Sequence, residues 1–281
     1  MRASSKSYLL AIVCVLLAMM TIQTGASFAK QLFPIVGPEG TTALRLGFSA
    51  LILCLVFKPW KHLPTSGNRI SIIVYGLSLG GMNILFYYAI ERIPLGIGVA
   101  LEFTGPLAVA LFSSRRKRDL FWVACAIAGI LLLLPDMSGQ DSLDPWGVAL
   151  ALGAGACWAA YILFGKKTGT QSSGGATVAL GMTVAAIVLV PYGGILQSAA
   201  FTWEIIPLGI GIAILSSALP YTLDMPSQGF SVMMSLEPAI ASLAGFIILG
   251  ELLTLWQWLA ILLVIVASVG SSFSNAKKQV A

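Results

Sequence analysis

Charge is scarce in this chain. Only 10% of its 281 residues are Asp, Glu, Lys or Arg, against about 25% in an ordinary soluble domain. A globule so poor in charge has too little polar surface to face water, so lipid is the solvent that the composition implies. Histidine is nearly absent as well: the single copy, His62, stands in a charged loop, away from any other metal-ligating side chain. The four cysteines, Cys14, Cys54, Cys125 and Cys157, are scattered through apolar runs with no CxxC spacing, which reads as free buried thiols rather than a metal or redox site. No clustered nucleophile, base and acid argues for an enzyme, and no ring of like charges or filter-like segment argues for a passive channel.

What the chain has is apolar length. Hydrophobic residues make up 58% of it, and the mean hydropathy is +0.92. A helix crossing the hydrocarbon core needs roughly 20 mostly apolar residues. Runs of that kind lie at about 8–28, 41–57, 70–90, 94–112, 120–135, 146–164, 176–195, 205–225, 230–249 and 255–273. The pattern predicts an all-α integral membrane protein of about ten transmembrane helices. The first run has a basic start in Arg2 and Lys6, as a signal peptide would, but it continues through small residues to Phe28 and reads as a retained helix.

The net charge of +5 forms no basic face, so nucleic acid is not implied. The basic residues sit in short loops and follow the positive-inside rule. With the N-terminus inside, the inner side collects Arg2, Lys6, Lys58, Lys61, Arg69, Arg115, Arg116, Lys117, Arg118, Lys166, Lys167, Lys277 and Lys278, thirteen of the sixteen. The outer side keeps Lys30 and Arg92, and Arg45 remains inside a span. The outer loops gather the acids Glu39, Glu91, Asp136, Asp141, Asp144, Glu204 and Glu251. That alternation requires an even number of crossings with both termini cytoplasmic.

The two halves, residues 1–135 and 146–275, resemble each other. Gly25-Ala26-Ser27-Phe28-Ala29 answers Gly155-Ala156-Cys157-Trp158-Ala159, and Thr104-Gly105-Pro106-Leu107-Ala108 answers Leu236-Glu237-Pro238-Ala239-Ile240. Five spans in each half turn the second upside down relative to the first. Inverted repeats of this kind place a solute site between the halves near the bilayer midplane. Pro94 and Pro106 register with Pro226 and Pro238, whereas Met82-Asn83 registers with Pro220-Tyr221 six residues further along. Tyr88 to Ile93 therefore have no counterpart before the ninth span, and a tight turn is expected after Met225.

Charged groups inside a membrane cost about 2.5–3.5 kcal/mol each on insertion scales, so they mark functional candidates. Glu102 and Glu237 lie within the fourth and ninth spans, Arg45 early in the second, and Asp224 near the inner end of the eighth. Either glutamate is suited to alternate between protonated and ionised forms, coupling outward solute movement to inward proton movement. Arg45 is suited to meet a solute carboxylate; an internal Arg–Glu pair that only locks helices together is the plainer alternative. Pro106 and Pro238 break their helices next to these carboxylates and free backbone carbonyls to line a cavity. Asn83, Tyr221 and Trp158 complete the candidate pathway, with aromatic packing the plainer reading for Trp158, Phe28, Tyr87, Tyr88 and Tyr161.

The runs LEFTGPLAVALFSSRR (Leu101 to Arg116), ALGAGACWAAYIL (Ala151 to Leu163) and SLEPAIASLAGF (Ser235 to Phe246), with Gly25 to Lys30, resemble the drug/metabolite transporter superfamily, EamA type. The resemblance covers essentially the whole chain. It implies two inverted five-helix repeats in a bacterial inner-membrane exporter of small amino acids such as threonine and homoserine, driven by proton antiport. Efflux of other metabolites or amphipathic compounds by the same fold is the alternative. It implies small amino acids, protons and membrane lipid as partners, and no cofactor. Against that family the same six-residue shortening falls after Met225.

Overall fold

The computed structural model describes residues 5–62, 69–112, 119–133, 143–169, 174–197, 202–220 and 234–279. Tyr221, Asp224 and the expected tight turn after Met225 lie outside the described residues. Among the described residues the regular structure is entirely helical. In chain order the elements are α1 (Ser5–Phe57), α2 (Arg69–Arg92), α3 (Leu95–Phe112), α4 (Asp119–Leu133), α5 (Pro145–Gly169), α6 (Gly174–Leu196), α7 (Ile205–Ala218), α8 (Glu237–Leu249) and α9 (Leu255–Gln279). By length and composition α1, α2, α3, α5 and α6 are each able to cross a membrane, and α4, α7, α8 and α9 carry shorter apolar stretches.

The first two expected spans meet without a loop. Residues 29–36 continue the helix, and the only non-helical residue inside α1 is Gly37 at φ 65°, ψ 170°. Pro38 pushes the residue before it out of the helical region, and the conformation adopted there is open essentially to glycine alone. Pro38 then opens the second arm, where its missing N–H costs nothing. Thr41 and Thr42 return their hydroxyls to the Gly37 and Pro38 carbonyls at 2.8 and 2.7 Å. The chain thus reverses into a second arm, residues 38–57, that packs along α6. The expected tight connection after Arg92 is present: Pro94 caps the start of α3 immediately after α2 ends.

Packing brings small residues to the crossings. Gly25 of α1 abuts Ser216 of α7, Gly96 of α3 abuts Ser242 of α8, and Gly76 of α2 abuts Gly181 and Val184 of α6. Such residues let backbones approach closely where lipid supplies no hydrophobic drive between helices. Two helices end in wider π turns, Ile214–Ala218 in α7 and Gly245–Leu249 in α8, a geometry that recurs at functional sites.

Polar side chains gather at one end of the bundle. Gln197 donates to Glu39 at 2.7 Å, Tyr88 and Tyr192 share a hydrogen bond of 3.1 Å, and Arg92 donates to Asp144 at 3.0 Å. Asp144 also caps α5, accepting the Trp146 N–H at 2.8 Å. Of these, Glu39, Arg92 and Asp144 are residues that the charge pattern assigns to the outer side.

Candidate functional site

The helix of α3 loosens at Phe103, between Leu95–Glu102 and Thr104–Phe112, without leaving the helical region (φ −64°, ψ −14°). The cause is Pro106, which has no N–H to offer the Glu102 carbonyl one turn back. That carbonyl faces α5 instead: a Cβ built on Gly155 would come within 2.7 Å of it. Gly105 lies against the Gly155 carbonyl so closely that neither position has room for a side chain. Trp158, one turn along α5 from Gly155, meets Phe103 edge-on with ring centroids 5.5 Å apart. The Glu102 side chain is 7% exposed, and among the described residues it accepts no hydrogen bond.

Glu237 opens α8 directly after the turn at 235–236, with Pro238 in the first helical turn. Pro238 thus lies in the first turn of α8, where a missing N–H is harmless, as Pro106 lies in the first turn after Phe103. Glu237 is 5% exposed and accepts the side-chain amide of Gln23, from the first arm of α1, at 3.1 Å. Its second carboxylate oxygen, Oε2, and the Gln23 Oε1 are buried without a hydrogen bond.

Arg45 projects from the second arm of α1. Its guanidinium donates to the Tyr87 hydroxyl at 3.2 Å and to the Ser216 carbonyl at 3.4 Å, and it lies 5.4 Å from the Tyr87 ring centre. Its Nε is buried and unpartnered, as are the hydroxyls of Ser216 and Ser217. Ser216 also lies against Gly25 of the first arm of α1. Glu102 lies within electrostatic range of both Glu237 and Arg45. The structure thus collects one cation and two carboxylates, contributed by α1, α3 and α8, around the loosened segment.

Asn83 is buried one turn before Tyr87, with its amide on the Leu79 carbonyl at 2.7 Å. Sequence reasoning singled out neither Gln23 nor Ser216. A lone glutamine amid apolar residues in the first span was a signal available for Gln23; Ser216 contributes through its backbone and carried none. Nor was the role of Lys30 and Glu251 visible. Their ion pair, 2.8 Å long, is mostly buried, with side-chain exposures of 22% and 15%. Lys30 also donates to the Ile93 carbonyl at 3.0 Å, and Glu251 accepts the Leu95 N–H at 2.8 Å. The chain turns at Gly250 with the Glu251 N–H on the Gly245 carbonyl, which directs the carboxylate back over the start of α3. One ion pair therefore ties α1, the α2–α3 turn and the α8–α9 connection together.

A bundle of apolar helices of membrane-crossing length, with Glu102 and Glu237 buried inside it, defines a multi-pass membrane protein. The chain belongs to the EamA-like transporter family, whose model matches it twice, at residues 9–134 and 145–273. It is 52% identical to the threonine/homoserine exporter RhtA of Escherichia coli (strain K12) over 276 residues, 96% of this chain and 93% of that protein. The RhtA of Salmonella typhimurium (strain LT2) is likewise 52% identical over 272 residues, 94% and 92% of the two chains. A more distant relative, the transporter YwfM of Bacillus subtilis (strain 168), is 27% identical over 86% of each chain. A solved crystal structure shares the fold with a TM-score of 0.58 over 98% of both chains, at 18% identity.

Proposed function

We propose that this chain exports small hydroxylated amino acids, threonine and homoserine, across the bacterial inner membrane in exchange for protons. The observation that carries the reading is the 52% identity, over nearly the whole length, to exporters of those two amino acids. The buried site agrees with it in chemistry. A zwitterion needs a cation for its carboxylate and an anion for its ammonium, and Arg45 stands with Glu102 and Glu237 to offer both. A carboxyl shut away from water is also the group that can carry a proton on the return stroke, and Glu102, which has no hydrogen bond to hold it in one form, is assigned that role.

The architecture we propose is ten crossings in two inverted five-helix units, residues 1–135 and 146–275. The two arms of α1, on either side of Gly37, count as separate crossings. The double match to one family model supports two equivalent units. So does the packing, in which Gly25 of the first arm abuts Leu215 and Ser216 of α7 as α5 packs on α2, while Ala43 and Gly47 of the second arm abut Gly193 and Val190 of α6 and α4 packs on α9. Both termini are placed in the cytoplasm by the thirteen basic residues assigned to that side.

Cells producing the chain should tolerate excess homoserine and threonine and release both faster than cells carrying an empty vector. Equal release from the two cultures would reject amino-acid export.

A further inference from the structure

Lys30 belongs to the first half of the chain and Glu251 to the second, and both are engaged beyond their own 2.8 Å pair. Lys30 Nζ holds the Ile93 carbonyl, and the second Glu251 oxygen holds the Leu95 N–H. Pro94, at the cap position of α3, supplies no side-chain acceptor, so a carboxylate from the other half caps that helix. Gly245 of α8 lies against both Leu95 and the Glu251 carboxylate, and one turn deeper Ser242 lies against Gly96. Val99 and Ala241 follow, in one buried core with Ala26 and Ala29 of α1, and Glu102 stands two turns along α3 from Leu95. The polar site is therefore shut at this end by α1, α3 and α8, and one ion pair fastens all three. The fastening has a hinge beside it. Glu251 follows the π turn Gly245–Leu249 and Gly250, which is left-handed at φ 69° with open space where a side chain would stand; element ends of this kind absorb the backbone change of a moving segment. The fastening is also one-sided. The register that pairs Gly25 with Gly155 puts Ala160 in the place of Lys30, so the second half repeats the pattern without the cation.

We propose that the Lys30–Glu251 pair is the latch of an outer gate, released when the α8–α9 corner carries Glu251 off the start of α3. This deepens the export reading and rests on it, since that reading puts Lys30 and Glu251 on the outer side. With no twin of the pair at the inner end, the resting protein is held shut toward the outside and is freer to open toward the inside. That is the order in which an exporter loads and then discharges. Release of the latch uncovers the passage along α3 from Leu95 past Val99 to Glu102. Lys30 and Glu251 are positioning residues in this scheme and touch no solute.

The test is the rate at which a membrane-impermeant maleimide, added to intact cells, labels a cysteine placed beneath the latch by Val99→Cys, above the background of the native cysteines. Val99 is 2% exposed, so reaction there requires opening. In resting cells labelling should be slow, and loading the cells with L-threonine should speed it. Adding Glu251→Gln, which removes the charge and keeps the size, should raise the resting rate about tenfold, because a charge-assisted bond is lost. Adding Gln197→Leu instead removes the contact with Glu39 at the same end, which joins α1 to α6, and should leave the rate unchanged. Rapid labelling of Val99→Cys in resting cells with the pair intact would overturn the latch, a result that needs no variant of the pair to fold. So would a rate that Glu251→Gln does not raise, or one that Gln197→Leu raises equally. If Glu251→Gln accelerates labelling but cells do not release threonine, the export reading fails and the latch stands. If cells release threonine and loading does not speed labelling, the latch alone fails.

Discussion

Gln23 and Glu237 stand 214 residues apart in the chain and meet at 3.1 Å in the fold, so the first arm of α1 is fastened to the start of α8 by a buried amide–carboxylate contact. Removing one partner of such a contact leaves the other desolvated and unpaired, a loss of about 1–3 kcal/mol. Gln23→Ala should therefore cut the rate of threonine release by about fivefold to a hundredfold, with the protein still inserted in the membrane. Release at the unmodified rate, at equal protein level, would show that the contact is not part of the transport site.

The Lys30–Glu251 pair closes one end of the bundle. Breaking a mostly buried ion pair by removing one partner is costly, about 3–5 kcal/mol, whereas replacing both by apolar residues is much cheaper. Lys30→Met and Glu251→Met should each lower the unfolding temperature more than the double variant does. A double-mutant cycle in detergent measures this coupling, and simple additivity of the two single variants would contradict it.

The contact of Gly105 with Gly155 admits no side chain on either helix. Gly155→Val should destabilise the protein by about 1–3 kcal/mol or more through overpacking. Ala156→Val, on an exposed face of the same helix, should be nearly silent. Comparable melting of the two variants would mean that α3 and α5 do not cross as described.

Asp144 supplies a pH dependence that lies outside the membrane spans. The Arg92 side chain, and after it the Trp146 N–H, hold its carboxyl below the ordinary value of 3.8. A carboxyl lowered in the folded state contributes stability that is complete above that ordinary value and is lost as pH falls through the folded one. Asp144→Asn should thus melt slightly earlier than the unmodified protein at neutral pH. The difference should shrink and vanish below pH 3.8, and a difference that grows on acidification would contradict the assignment.

Much of the fold was legible because lipid imposes simple rules. Apolar runs of fixed length placed the helices, and loop charge ordered their ends, so that Glu39, Arg92, Asp144 and Glu251 do share one end of the bundle. The boundary between the first two spans was not legible. Gly37-Pro38 looked like part of a loop, and only the backbone shows that one glycine makes the whole reversal. Within the site, Arg45, Glu102 and Glu237 were legible because charge is conspicuous in an apolar run. Gln23 was not, since a neutral amide gains its meaning from a partner 214 residues away. Pro106 and Pro238, which register in sequence, each lie in the first helical turn after a turn, at Phe103 and at 235–236.

The proposed exchange of amino acid for protons depends on the buried Glu102 of α3. It is tested most directly by vesicles loaded with labelled L-threonine, containing either the unmodified chain or Glu102→Gln, with the outside made acid. The unmodified chain should release threonine faster when the gradient is imposed, and the variant should release it at a rate that the gradient does not change. Equal acceleration of both would contradict the account.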